Sequence, residues 1–279
     1  MTAPTSLFML HMPIDLQQVA HYAAHRGFGA SQYRNSGFDE GRALHHILVE
    51  TFGPGALKPF RLMVAPRGQS GSLYAYTAEQ PDALMARIEA TILPEAHSLL
   101  ALNRLAWRAM PDDWHVGRRL AFDIRVRPVV RVHAPVANPR KPDTPYKKGA
   151  ELDAWFVAKS RANPEGPRTH EDNAEANAVT DAPSLTREDA YIDWLVQRLE
   201  GIVELDRSLT RLAHFRRTRA ARSGRSIEGP DATLHGECRI IDPARFACCL
   251  ARGIGRHKAY GYGMLMLRPP QRVDIDPGV

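Results

Sequence analysis

The stretch Gly253-Ile-Gly-Arg-His-Lys-Ala-Tyr-Gly-Tyr-Gly-Met-Leu-Met-Leu267 decides how the chain is read. Four glycines, Gly253, Gly255, Gly261 and Gly263, bracket a cationic cluster of Arg256, His257 and Lys258, and an alternating apolar run follows. Glycine permits tight turns and lets a ligand come close to the backbone, whose inward-facing N–H groups can cradle an anion. Basic side chains in such a loop suit a phosphate backbone. The order is loop then strand, whereas nucleotide-binding loops run strand, glycines, helix. With no Gly-Lys-Ser/Thr either, an ATP or dinucleotide site fits poorly.

Upstream, short strands and helices alternate. Ser6 to Pro13 reads as a strand, Leu16 to His25 as a helix, and Arg26 to Gly37 as a loop carrying Tyr33 and Arg34. Asp39 can cap the next helix and Gly53-Pro54 closes it. Leu44, Ile47, Leu48 and Phe52 recur at helical spacing and form its buried stripe. Arg42, His45 and His46 fall off that stripe, at spacings that make Arg42 a surface neighbour of both histidines. On the residues alone, a polar face with incidental histidines and a catalytic cluster both fit. Lys58 to Ala65 and Ser72 to Thr77 read as paired strands, Pro81 to Leu93 as a helix and Arg104 to Met110 as a strand. Strand, helix, two strands, helix, strand is the ferredoxin-like arrangement, which RNA-recognition modules share.

A second half begins near Gly117. Arg118 to Val132 alternates basic and apolar residues, and as one strand it would turn Arg125, Arg127 and Arg131 to one face, RNA-facing or merely solvated. A basic loop over 140–148 and a helix from Ala150 to Lys159 follow. Ser160 to Ser184 is polar, with almost no large apolar residues, and reads as a disordered insertion or linker. Thr186 caps a helix from Glu188 to Leu199. The segment from His214 to Arg225 then carries Arg216, Arg217, Arg219, Arg222 and Arg225 around a Ser-Gly turn. Mutual repulsion makes so dense a basic hairpin costly unless a polyanion offsets it. Thr233 to Ile241 reads as a strand, Pro243 to Ala251 as a helix and Tyr260 to Leu267 as a final strand. The predicted fold is therefore α+β, with tandem ferredoxin-like (RRM-like) domains over 1–116 and 117–270. The second contains the polar insertion 160–184, the basic hairpin 214–226 and the glycine-rich loop 253–263, and 271–279 is a tail.

Together with Leu234-His-Gly-Glu-Cys-Arg-Ile-Ile-Asp-Pro-Ala-Arg-Phe246, the glycine-rich stretch resembles the C-terminus of CRISPR RNA-processing endoribonucleases of the Cas-six superfamily, in particular the CasE (Cse3) subtype. There a strand, a helix opened by Asp-Pro, the glycine-rich loop and a last strand follow in this order. Leu44-His45 followed by Phe52-Gly53-Pro54 matches the context of that subtype's helix histidine. Arg42 departs from it, since better-known members carry a tyrosine there, and either Arg42 or Tyr33 would take over that role. The resemblance also implies that the basic hairpin grips the phosphates of an RNA stem.

Composition sets bounds on the alternatives. At 279 residues and 44% hydrophobic, the chain can bury two ordinary domains. No run of eighteen apolar residues occurs and the start lacks a signal-type pattern, so a cytoplasmic protein without membrane contact is expected. Cys238, Cys248 and Cys249 lack Cys-x-x-Cys spacing and read as reduced core thiols. His21 and His25 have the spacing of a zinc helix, without the glutamate or an evident third ligand. No metal and no cofactor are expected. The net charge of +6 is compatible with a polyanionic partner.

RNA can be cut without a metal because its own 2′-OH can attack the neighbouring phosphate. Such a site needs a base, an acid and cations, which histidine, lysine and arginine supply near neutral pH. His45 is the expected base, Arg42 or Lys258 the charge stabiliser, and His46, His257 and Tyr33 the further candidates. Arg34, Arg125, Arg127, Arg131, Arg216, Arg217, Arg219, Arg222, Arg225, Gly255, Arg256, His257 and Lys258 are the expected RNA contacts. The resemblance implies a CRISPR repeat stem-loop cut at its 3′ base, with the mature crRNA retained for the subunits of a Cascade-like effector complex. The alternatives are a crRNA-binding subunit, a type IV-like nuclease with an arginine-based site, and an unrelated RNA-modifying enzyme.

Overall fold

A computed structural model describes residues 6–28, 39–66, 68–90, 99–138, 141, 143–162, 185–222 and 225–271, with the backbone alone at 219–222 and 225–227. Strand β1 (Phe8–Asp15) buries every second residue, Leu10, Met12 and Ile14, as an antiparallel strand with one face on a core does. Asp15 ends it and caps helix α1 (Leu16–His25), accepting from the N–H groups of Gln17 at 2.9 Å and Gln18 at 3.2 Å. Helix α2 (Glu40–Phe52) starts in the same way, with Asp39 accepting from the Arg42 N–H at 3.0 Å. It stops at Gly53, whose φ of 87° is costly for any residue with a Cβ. Leu44, Ile47, Leu48 and Phe52 are its buried stripe, as the spacing predicts.

Strands β2 (Phe60–Val64) and β3 (Ser70–Thr77), helix α3 (Pro81–Ala90) and strand β4 (Ala106–Ala109) complete the first half. Their antiparallel sheet has the order β2-β3-β1-β4, the ferredoxin-like arrangement. The chain continues through β5 (Arg119–Val126), β6 (Val129–Arg131), β7 (Glu151–Asp153), α4 (Ala154–Ala162), α5 (Arg187–Leu199), β8 (Val203–Arg222), β9 (Arg225–Ile240), α6 (Pro243–Arg252) and β10 (Leu265–Arg268). The second sheet is ordered β10-β5-β9-β8. Counted along the chain as one to four, its strands repeat the order of the first sheet.

The expected boundary near Gly117 falls between the two sheets, but the compact units divide elsewhere. One unit comprises 1–127 with 199–279 and holds both sheets; the other is 128–198. Buried polar contacts tie the sheets together. The Tyr76 hydroxyl of β3 donates to the Leu265 carbonyl of β10 at 2.9 Å, and Arg61 of β2 lies 3.4 Å from Asp123 of β5. Asp123 also accepts from Arg268 at 2.9 Å and faces the His235 ring nitrogen at 3.0 Å. In the smaller unit, Val132, Leu152 and Val157 form a core of their own. Asp153 caps α4 there and accepts from Arg187 and the Tyr191 hydroxyl.

Three sequence expectations shift. The single strand expected over Arg118 to Val132 breaks after Val126, because Pro128 offers no N–H to a ladder. The helix expected from Ala150 begins at Ala154, after the short strand β7. The last strand begins at Leu265 and not at Tyr260, because Gly261 and Gly263 take φ values of 83° and 79° that a strand cannot use. The polar insertion, apart from its ends, and the tail after Gln271 lie outside the described residues. Among the described residues, no helix is long and apolar enough to cross a membrane.

At the root of the long β8–β9 ribbon, Asp231 sits directly opposite Arg216. It is buried, accepts from Arg125 Nε at 2.8 Å and Nη2 at 2.7 Å, and accepts from Arg216 Nε at 2.8 Å. Burial by itself would raise the Asp231 carboxyl, but the hydrogen bonds and charges of Arg125 and Arg216 outweigh it and hold the group below the usual carboxylate range. A depressed carboxyl contributes stability above the unfolded-state value, about 3.9, and loses it as pH falls through the folded-state value. Asp231→Asn is expected to cost about 3 kcal/mol at neutral pH, as breaking a buried ion pair does. It should also flatten the acid limb of stability against pH. Denaturant titrations at several pH values check this, and an unchanged acid limb would contradict it.

Candidate active site and RNA-binding surface

Helix α2 carries the candidate base. Its core stripe turns inward and leaves Arg42, His45 and His46 half-buried along the other side. The two adjacent histidines diverge. His46 stacks on Phe28 at 4.5 Å between ring centroids, and the Arg42 guanidinium lies over the same Phe28 ring at 4.3 Å. His45 instead faces the glycine-rich loop, its ring 5.2 Å from that of Tyr260 and 5.6 Å from that of His46. Burial, reinforced by the charge of Arg42, holds His46 below the ordinary histidine range.

The loop is shaped by its backbone. Asp242 caps α6 by accepting from the Arg245 N–H at 2.9 Å, and Gly253 ends that helix. The Ile254 N–H donates to the Gly263 carbonyl at 2.8 Å, and the Gly263 N–H donates to the Arg125 carbonyl at 2.7 Å, so the loop closes on itself and on β5. A short 3-10 turn over Lys258–Tyr260 lies within it, flanked by His257 at φ 61° and Gly261 at φ 83°. Helix α2 meets this turn backbone to backbone: a Cβ on Gly41 would stand 2.7 Å from the Tyr260 carbonyl oxygen. Only glycine at position 41 permits that approach.

A cleft opens beside His45, lined also by Lys58, Phe60, Gly53, Gly55 and Ala259. Lys258 is half-buried, with its ammonium 3.5 Å from the Gly253 carbonyl oxygen. Burial, then the nearby charges of Lys58 and Arg252, push Lys258 below the ordinary lysine range. Sequence reading missed Lys58 and Tyr260. Lys58 belongs to no motif, and Tyr260 reads as the first residue of a strand. Burial pushes the Cys249 thiol up to about 11 and Cys238 up to about 12; Cys238 lies in the core as expected, whereas Cys248 and Cys249 are half-buried. His21 and His25 are exposed on α1, and among the described residues no three His, Cys, Asp or Glu side chains converge as a metal site would need.

The other expected contacts separate into groups. Arg256 is exposed on the loop and His257 half-buried, next to Gly255. Arg216 and Arg217 are exposed at the ribbon's root, with Nε bound to Asp231 at 2.8 Å and to Glu228 at 2.9 Å respectively. Arg219, Arg222 and Arg225 continue along the ribbon backbone, Arg222 opposite Arg225. Arg125 and Arg127, expected to face RNA, are instead held inside: Arg125 pairs with Asp231, Arg127 is 3% exposed, and both guanidiniums lie over the Tyr262 ring. Strand alternation is the wrong guide there, because β5 is a central strand covered on both faces. Arg131 is exposed on β6 of the smaller unit. Tyr33 and Arg34 lie outside the described residues.

Comparisons with known proteins bear on this arrangement. A search of curated protein sequences gives no match. Among solved structures, the chain is similar to the CRISPR endoribonuclease Cse3 bound to a 19-nucleotide RNA, with TM-score 0.57 and 16% identity over 95% of this chain and 100% of that one. Thermus thermophilus Cse3 bound to an RNA representing a pre-cleavage complex gives 0.55 and 15%, over 95% and 100%. Cas6e from Escherichia coli str. K-12 gives 0.51 and 14%, again over 95% and 100%. At these identities the likeness is one of fold. A family model described as "CRISPR associated protein" matches residues 7–269, from the start of β1 to the end of β10. Both ferredoxin-like sheets and the glycine-rich loop fall within that match, and the chain belongs to the CRISPR-associated protein family.

Proposed function

We propose that this protein is a metal-independent endoribonuclease that cuts CRISPR precursor RNA at the 3′ base of the repeat stem-loop and retains the mature crRNA. The observation that carries the reading is the placement of His45 at a cleft between helix α2 and the glycine-rich loop, with Lys58 on the cleft wall and Lys258 on the loop. The resemblance of the loop to that of the Cas-six endoribonucleases supports it, as do solved folds of this kind described as Cse3 bound to RNA. A further similar fold is described as part of a CRISPR RNA-guided surveillance complex, TM-score 0.50, which supports effector subunits as partners.

The chemistry follows from the groups present. His45 takes the proton of the 2′-OH, the 2′ oxygen attacks phosphorus, and the bond from phosphorus to the 5′ oxygen breaks. The departing oxygen takes a proton from His257, which leaves a 2′,3′-cyclic phosphate and a 5′-hydroxyl. Lys258 and Lys58 face the charge that builds on the phosphorane. Arg42 and His46, gathered on Phe28, shape the helix surface beside His45. The β8–β9 ribbon supplies the cations for an A-form stem, which is recognised by shape and phosphates.

Wild-type protein is expected to cleave labelled repeat RNA in EDTA and release a cyclic-phosphate end, while His45→Ala cuts at least ~100-fold more slowly and binds as well. Equal rates would move the base elsewhere, and binding without any cleavage would make this an RNA-binding subunit. A second expectation concerns pH. A lysine held below its ordinary range loses its charge earlier as pH rises, so wild-type cleavage should fall on the alkaline side. Lys258→Arg, which stays charged there, should remove that fall. Rate against pH for the two proteins checks this, and superimposable alkaline limbs would contradict the role of Lys258.

A further inference from the structure

The Tyr260 ring lies near both histidines to which the proposed reaction assigns proton transfers. It meets His45 edge-on, with centroids 5.2 Å apart and planes at 63°, and lies 6.5 Å from His257. Its backbone has little latitude. The Tyr260 N–H donates to the His257 carbonyl at 2.9 Å, and left-handed residues flank the turn at φ 61° and 83°. The Tyr260 carbonyl is pressed against Gly41 of the helix that bears His45. The backbone contacts that hold the loop on the helix therefore also fix the point from which this ring projects.

A general base acts only while its nitrogen is within hydrogen-bond reach of the proton it removes. An imidazole on a helix surface can rotate about two torsions, and an aromatic ring packed against it restricts that rotation. Residues that supply positioning alone account for large rate factors in enzymes. The neighbouring His46 is stacked on Phe28 and meets the His45 ring at 5.6 Å. His45 has the Tyr260 ring as its counterpart.

We propose that Tyr260 is a positioning residue: its ring fixes the His45 imidazole toward the cleft, acting through ring packing and not through chemistry at its hydroxyl. This inference rests on the function proposed above. It also gives the site an aromatic partner for His45 from the glycine-rich loop.

The test compares wild type, Tyr260→Phe and Tyr260→Leu in single-turnover cleavage of labelled repeat RNA, across the pH range in which histidine titrates. Tyr260→Phe is expected within about threefold of wild type, and Tyr260→Leu about 100-fold slower across that pH range. Affinity for an uncleavable 2′-deoxy copy of the RNA and the thermal midpoint should be unchanged. Should Leu disturb folding, Tyr260→Gln takes its place. Adding Tyr260→Leu to His45→Ala should slow cleavage no further, because two residues acting through one group are not additive. Histidine side-chain NMR supplies a readout independent of cleavage: Tyr260→Leu moves the His45 ring resonances, and Tyr260→Phe does not. The proposal is overturned if Phe is as slow as Leu, if Leu cuts like wild type, if the two losses add, or if the His45 resonances ignore the substitution. Wild type that binds but never cuts would instead overturn the proposed function, and the positioning role with it.

Discussion

The close approach of helix α2 to the glycine-rich loop is the constraint on which the site depends. At Gly41 the helix backbone comes so near the Tyr260 carbonyl that a single added methyl would force the two apart. That contact brings residues more than 200 positions apart in sequence into one cleft. The helix contributes His45 and the loop contributes Ala259 to its lining, with the Tyr260 ring packed against His45. Glycines at Gly253, Gly261 and Gly263 are needed for the matching reason on the loop side, since each holds a positive φ where the chain turns back toward β5.

Electrostatics divides the arginines into two classes. Those held by buried carboxylates are structural: Arg125 and Arg216 converge on Asp231, and Arg61, Arg268 and His235 converge on Asp123. Buried charges of this kind are tolerated only when paired, and here the pairs lie where strands of the second sheet meet each other and where the two sheets meet. Arg216 belongs to both classes. Its Nε is bound inside by Asp231 while more than half of its side chain stays exposed at the root of the basic ribbon, so the fold aims this cation outward. A surface built in this way does not pay an ordering cost anew at each encounter with a phosphate backbone.

Much of the fold was legible because local signals agreed with it. Asp39 and Gly53 bound α2 as expected, Asp242 and Gly253 bound α6, and the buried stripe of α2 follows its helical spacing. Both sheets have the ferredoxin-like order that the alternation of elements suggested. What sequence could not supply was tertiary. Alternation along β5 cannot distinguish a solvated face from one covered by Asp231 and Tyr262, so Arg125 and Arg127 were misread. A spacing rule likewise sees Arg42, His45 and His46 as one patch, while the structure turns His45 toward the loop and leaves the other two on Phe28. Lys58 and Tyr260 enter the site only through folding, by contacts that no local pattern encodes.

In the proposed reaction the RNA supplies its own nucleophile and the protein supplies proton transfer and charge. A repeat RNA with one 2′-deoxy substitution at the scissile nucleotide tests this most directly, with binding and cleavage measured against the all-ribose RNA. The proposed reaction requires equal affinity and no cut at that position. Cleavage of the deoxy RNA at a comparable rate would contradict it, because the attacking oxygen would then have to come from elsewhere.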